Sequence, residues 1–124
     1  HSFRRVLFRL SMLSVSAQVF HVVSLGILVP AELFTPAPKV DSQVVVLRRR
    51  ENPLVSKDKQ KAFFQLVKAG FSERRKKLRS SLAGGLVKSK SEIDLLLNHA
   101  GIDPEARAQE LSIEQWLKLL ETYA

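Results

Sequence analysis

Two short apolar runs, VVSLGILV at 22–29 and VVVL at 44–47, set the main constraint on this chain. Both are rich in β-branched residues and are bounded by turn formers, the pattern of β-strands. Val44, Val45, Val46 and Leu47 follow one another with no polar residue between them, so both faces of that strand are apolar. Such a strand suits a sheet covered on both sides, and two strands cannot supply that cover for each other. The first fifty residues therefore read as the edge of a larger sheet that these 124 residues do not contain. Gly26 interrupts the first run and marks a weak point or a bulge. Between the runs, PAELFTPAPK carries Pro30, Pro36 and Pro38. Proline fixes its own φ and extends the residue before it, which predicts a stiff extended loop over 35–39. Strands with uncovered faces and edges also invite self-association.

Elsewhere the period is helical. Val15 and Val19, four apart, predict a short helix over 12–20. Glu51–Ser56, with Asn52-Pro53 as a turn signal, reads as a linker. Beyond it Phe63, Val67 and Phe71 recur at four-residue steps. A second helix is expected through SERRKKLRSSLAG, with Phe71, Leu78 and Leu82 on its apolar face and Arg75 close to that stripe. Gly84-Gly85 is expected to end it. Ser89 and Glu92 predict a capping box for a helix ending at Gly101. Asp103 before Pro104 predicts another helix start, and Ser112 with Gln115 a further capping box ahead of Trp116.

Charge is distributed unevenly. Residues 1–50 carry +5, residues 51–90 carry +8 and residues 91–124 carry −5, within a net +8. Arg74, Arg75, Lys76, Lys77 and Arg79 form the densest basic cluster. Such density repels itself unless a polyanion compensates, so nucleic acid is the expected partner and a solvated face the plainer alternative. The acidic last third suggests a surface for solvent or for a basic neighbour. Phe34 lies in the proline-stiffened loop. There an aromatic ring either packs beneath the loop or stands ready to stack on an extruded base. The sequence has no cysteine, which excludes disulfides, thiol catalysis and Cys-ligated zinc and fits a cytoplasmic life. No apolar run is long enough for a transmembrane helix, and no membrane partner is expected. His1, His21 and His99 lie far apart and match no metal-ligand spacing. The acid-free start, with Arg4, Arg5 and Arg9 among Phe3, Val6, Leu7 and Phe8, is consistent with a targeting peptide or with an element cut from its context.

The segments LSVSAQVF, VPAELFTPAPKVDSQVVVLRRR, FFQLVKAGFSERRKKLRSSL and AGIDPEARAQELSIEQW occur in order. Together they resemble the C-terminal part of the KsgA family of ribosomal RNA small-subunit adenine dimethyltransferases, from about Leu13 to Tyr123. The FTPAPKVDS stretch is shared more loosely with the Erm methyltransferases. The resemblance implies a mixed α/β fragment: the last two antiparallel strands of a Rossmann-like methyltransferase sheet, followed by an all-α C-terminal domain. It divides the chain into a catalytic-domain edge (1–50), a linker (51–56) and a helical rRNA-docking domain (57–124). It implies an S-adenosylmethionine-dependent parent enzyme that dimethylates N6 of two adjacent adenosines in small-subunit rRNA, on a pre-ribosomal particle. Phe34 matches the family phenylalanine that stacks on the target adenine, in a loop shaped by Pro36 and Pro38. Lys39, Arg74, Arg75, Lys76, Lys77 and Arg79 are the expected RNA contacts. The glycine-rich cofactor motif, the acidic residue for the cofactor ribose and the Asn-Leu-Pro-Tyr motif are missing. This chain is therefore expected to bind no cofactor and to be inactive alone. A non-catalytic RNA-binding or ribosome-assembly module is the alternative, and a mitochondrial transcription-factor relative a more distant one.

Overall fold

A computed structural model describes residues 11–33, 35–36 and 42–123. Residues 11–18 form a helix, α1; Val15 within it and Val19 just beyond it are buried. Two strands follow, β1 (His21–Val29) and β2 (Ser42–Arg49), paired antiparallel with His21 opposite Arg49 and Val29 opposite Ser42. The register slips between Leu25 and Leu28: three steps on β1 answer two on β2. The extra residue is a β-bulge at the expected glycine. A Cβ on Gly26 would lie 3.2 Å from the Val44 carbonyl oxygen, a tight approach that favours glycine at the bulge.

Four helices complete the chain: α2 (Lys57–Gly70), α3 (Leu78–Leu86), α4 (Lys90–His99) and α5 (Ile113–Tyr123). Their apolar faces close on one core, in which Phe63, Leu66, Leu78, Leu82, Leu97, Trp116 and Leu119 are fully buried. Phe71 stacks on Trp116 at 5.7 Å between ring centres, and Phe20 on Phe64 at 6.2 Å. Both expected capping boxes form. The Ser89 hydroxyl accepts from the Glu92 amide, and the Ser112 hydroxyl from the Gln115 amide; each acidic or amide side chain reaches back to the cap amide. At the start of α2, the Ser56 hydroxyl beside Asp58 holds its carboxyl below the ordinary range.

The core extends beyond the helices predicted to form it. Val15, Val19 and Val55 belong to it. The segment read as a linker is tied down: the Arg50 amide donates to the Phe20 carbonyl at 2.7 Å, and the Leu54 amide to the Val19 carbonyl at 2.8 Å. The sheet, by contrast, is open. Val44, Val45, Val46 and Leu47 are 44–53% exposed, so neither face of β2 has the double cover its sequence suits.

Three sequence expectations are corrected. Residues 72–77 are loop rather than helix, and α3 starts at Leu78. The cause is tertiary: the Leu78 amide donates to the Ala106 carbonyl at 2.8 Å, and the Ser81 hydroxyl to the Glu73 carbonyl at 3.4 Å. Gly84-Gly85 lies inside α3 and does not end it. Gly85 is there for packing, since a Cβ on it would lie 2.6 Å from the Ala69 Cβ of α2. Asp103-Pro104 opens a turn, not a helix: Asp103 accepts from the Glu105 amide at 2.9 Å, and the chain then leaves for a short 3-10 turn at Ala108–Glu110.

The end of α3 falls instead at Val87, with φ 55°. The Lys88 amide donates to the Ala83 carbonyl at 2.9 Å, and the Val87 amide to the Gly84 carbonyl at 3.4 Å. This is a Schellman termination. The same pattern ends α4, where glycine (Gly101, φ 69°) fills the left-handed position. Val87 is β-branched, 91% exposed and left-handed, a conformation disfavoured for such a residue. Val87→Gly is expected to stabilise the fold by about 1 kcal/mol, the left-handed penalty less the extra chain entropy of glycine. Thermal unfolding checks it, and an unchanged or lowered midpoint contradicts it.

Candidate nucleic-acid interface

The loop between α2 and α3 is fixed at both ends. Ser72 caps the end of α2, its hydroxyl donating to the Ala69 carbonyl at 2.6 Å. The Lys76 amide closes a turn on the Glu73 carbonyl at 3.3 Å. Buried Leu78 anchors the far end. A chain held this way cannot spread its charges freely, and Arg75, Lys76 and Lys77 are presented together.

A hollow of about 700 Å³ opens beside this loop. Its cationic side chains are Arg75, Lys76 and Lys77 from the loop, Lys88 from the α3–α4 turn with Lys90 at the start of α4, and Arg107 from the segment before α5. Ser80, Ala83 and Gly84 of α3 line it between them. The left-handed turn at Val87 brings the chain back so that Lys88 and Lys90 join the rim. Lys88, Lys90 and Arg107 are separated in sequence from the basic cluster and reach it through the fold. The α3 termination and the Leu78–Ala106 tie place them there, and nothing in their local spacing signals it.

The expected RNA contacts divide into three groups. Arg75, Lys76 and Lys77 line the hollow, although Lys77 is also paired with Glu105. Arg79 lies apart, bonded to Asp94 of α4 at 2.8 Å with both side chains about one-third exposed. Arg74, and not Arg75, is the half-buried member, and its Nη1 is shielded from solvent. Pro36 is exposed. Phe34, Pro38 and Lys39 lie outside the described residues.

The pairs Lys77–Glu105 and Arg79–Asp94 give the acidic last third of the chain a role. Part of it is the internal counter-charge of the basic segment. Among the described residues, Arg75, Lys76, Lys90 and Arg107 have no carboxylate partner, and Lys88 has only Glu92 at 3.9 Å. Four cations at the hollow are thus left without a carboxylate partner among the described residues. Among the described residues no three histidine, aspartate or glutamate side chains gather as a metal ion requires, and no helix is long and apolar enough to cross a membrane.

The fold of this chain is similar to parts of solved methyltransferases. The crystal structure of the 23S rRNA methyltransferase ErmE matches 90% of this chain and 45% of its own, with TM-score 0.69 at 30% identity. A dimethyladenosine transferase from Plasmodium falciparum shares the fold, with TM-score 0.57 at 22% identity over 87% of this chain and 46% of its own. The chain belongs to the ribosomal RNA adenine dimethylase family, which it matches over residues 5–124. Ribosomal RNA small subunit methyltransferase A of Dehalococcoides mccartyi is 42% identical over 115 residues, covering 93% of this chain and 40% of the relative. The protein of the same name from Lactococcus lactis is 40% identical over 110 residues, 88% of this chain and 37% of the relative. The chain thus spans about 40% of the length of these curated relatives.

The position of Arg79 gives it a structural role. Arg79→Ala is expected to destabilise the fold by about 1 kcal/mol as the tie to Asp94 is removed. Its effect on RNA affinity should be far smaller than that of reversing Lys76. Urea unfolding and RNA titration of the same variant separate the two. A normal unfolding midpoint with weakened binding would move Arg79 into the interface.

Proposed function

We propose that this chain is the C-terminal part of an rRNA adenine N6-dimethyltransferase that modifies two adjacent adenosines of small-subunit rRNA on a pre-ribosomal particle. In this reading β1 and β2 are the last two strands of the Rossmann-like catalytic sheet, and the helical lobe docks the rRNA. The observation that carries the docking role is the hollow, where six cations from three segments converge. Family membership supports the reaction class. The open faces of β2 support the incomplete sheet, since neighbouring strands and helices would supply the missing cover.

S-adenosylmethionine is the methyl donor of the parent enzyme in this reading. The described residues do not fit it. A nucleotide cradle needs a glycine-rich turn between a strand and a helix N-terminus. The glycines here lie in a strand bulge, inside α2 and α3, and after α4. No step is therefore assigned to this chain's residues through the cofactor. Their part is to hold the substrate: phosphates on the basic hollow and, through Phe34, the target base. Positioning of that kind supplies much of the acceleration in a transfer between two bound partners. The alternative is a module that binds rRNA without catalysis, by the same basic hollow. Calorimetry of S-adenosylmethionine against the parent protein separates the two. Heat of binding supports the enzyme, and none supports the module.

Two variants test how the substrate is held. Lys76→Glu with Lys88→Glu is expected to weaken rRNA binding and to lower the salt slope by roughly 0.7–0.9 for each phosphate no longer engaged. An unchanged slope removes the hollow from the footprint. Phe34→Ala in the parent enzyme is expected to lower turnover by about tenfold or more, the loss of one base–aromatic stack, with little change in rRNA affinity. Equal reductions in both would assign Phe34 to folding.

A further inference from the structure

Gly84 lies inside α3, where glycine is a poorer helix former than alanine. Its neighbour Gly85 is required by the contact with Ala69, but Gly84 has no such requirement. A Cβ built there meets nothing within 4 Å, and the helical backbone needs no positive φ. Packing and conformation within the protein therefore leave this glycine unexplained. Gly84 is one of the residues that line the cationic hollow, with Ser80 and Ala83. Residues three and four apart share a helix face, so Ser80, Ala83 and Gly84 present a low, bare surface there. Cations surround it, from the loop before α3, from the turn after it and from Arg107.

We infer that Gly84 is the point where a ribose–phosphate strand of RNA rests against the backbone of α3, between cations that hold its phosphates. This rests on the RNA-docking reading above and adds a contact that charge alone does not specify. Glycine serves where another backbone must come close. Coulomb attraction falls with separation. A methyl group at Gly84 would lift the strand from several cations at once without removing any charge. The lining favours RNA over an acidic protein surface. It has no aromatic or large aliphatic side chain to anchor a protein partner. The same lack means that bases are not stacked here, so the contact positions the strand and does not read its sequence.

The experiment titrates a fluorescently labelled small-subunit rRNA hairpin with the chain and its Gly84→Ala, Gly84→Leu and Lys76→Glu/Lys88→Glu variants at several salt concentrations, beside thermal melts. Gly84→Ala should melt about 4 °C higher, because alanine is the better helix former and no clash opposes it. It should bind RNA about fivefold more weakly with the salt slope of the parent chain, since no cation is removed. Gly84→Leu should bind more weakly again. If Gly84→Ala binds as tightly as the parent chain while the charge-reversed variant is impaired, the hollow still docks RNA and the Gly84 contact is refuted. If the charge-reversed variant also binds normally, the docking reading itself fails. A lowered melting point for Gly84→Ala would show that the space is not open and would overturn the inference. So would polyglutamate displacing the RNA at equal charge concentration, which would point to an acidic protein as the occupant.

Discussion

The close crossing of α2 and α3 is the contact on which the rest of the structure depends. Gly85 lets the α3 backbone reach Ala69, and Gly70 admits the edge of Trp116, whose Cη2 would lie 2.6 Å from a Cβ at that position. With those two side chains absent, Trp116 and Leu78 are buried completely and Phe71 stacks on the indole. The ends of both helices are then fixed relative to each other. The loop from Ser72 to Lys77 has little freedom, because Phe71 and Leu78 are core residues on either side of it. A packing contact thus sets where four adjacent cations stand.

Electrostatics then acts on a geometry already determined. Cations held together raise the free energy of the isolated chain, and the fold relieves only part of this. Glu105 and Asp94 neutralise Lys77 and Arg79. Exposed pairs of this kind contribute little stability individually. Their larger consequence is spatial. They pair Lys77 within the hollow and Arg79 outside it, and leave Arg75, Lys76, Lys90 and Arg107 uncompensated at the hollow. A polyanion entering that hollow would release condensed counterions, which is why affinity there should depend steeply on salt.

What could be read from the sequence follows the range of the interactions involved. Both capping boxes and the helical periods of α2, α4 and α5 depend on residues within a few positions of one another, and they were legible; the bulge was signalled by Gly26 alone, although its partner Val44 lies across the sheet. The helix expected through Arg74 to Lys77 was not, because the bond from Leu78 to Ala106 decides against it across 28 positions of sequence. The glycine pair at 84–85 failed for a similar reason. Glycine ends helices often enough to suggest a stop, yet here one glycine answers a contact with another helix. Of the candidate site, the basic run was evident, and its partners Lys88, Lys90 and Arg107 became visible only when the fold brought them together. The valines of β2 carry the reverse lesson. Their pattern calls for cover that the described residues do not provide.

Three positions break local rules, and two of them are close together. Val55 is buried in a segment of turn-forming composition, and the core it joins accounts for it. Val87 adopts a left-handed conformation that glycine fills at the equivalent end of α4, and Gly84 occupies a helical site that alanine would fill better. No core contact accounts for either. Gly84 lines the hollow, and Val87 precedes Lys88, which lines it too. Sequences are locally consistent where only folding is at stake, and departures without a packing cause concentrate at functional sites. Valine and glycine here each stand where another residue would be the more stable choice. That pairing is hard to ascribe to stability, and it fits a surface shaped for what it must hold.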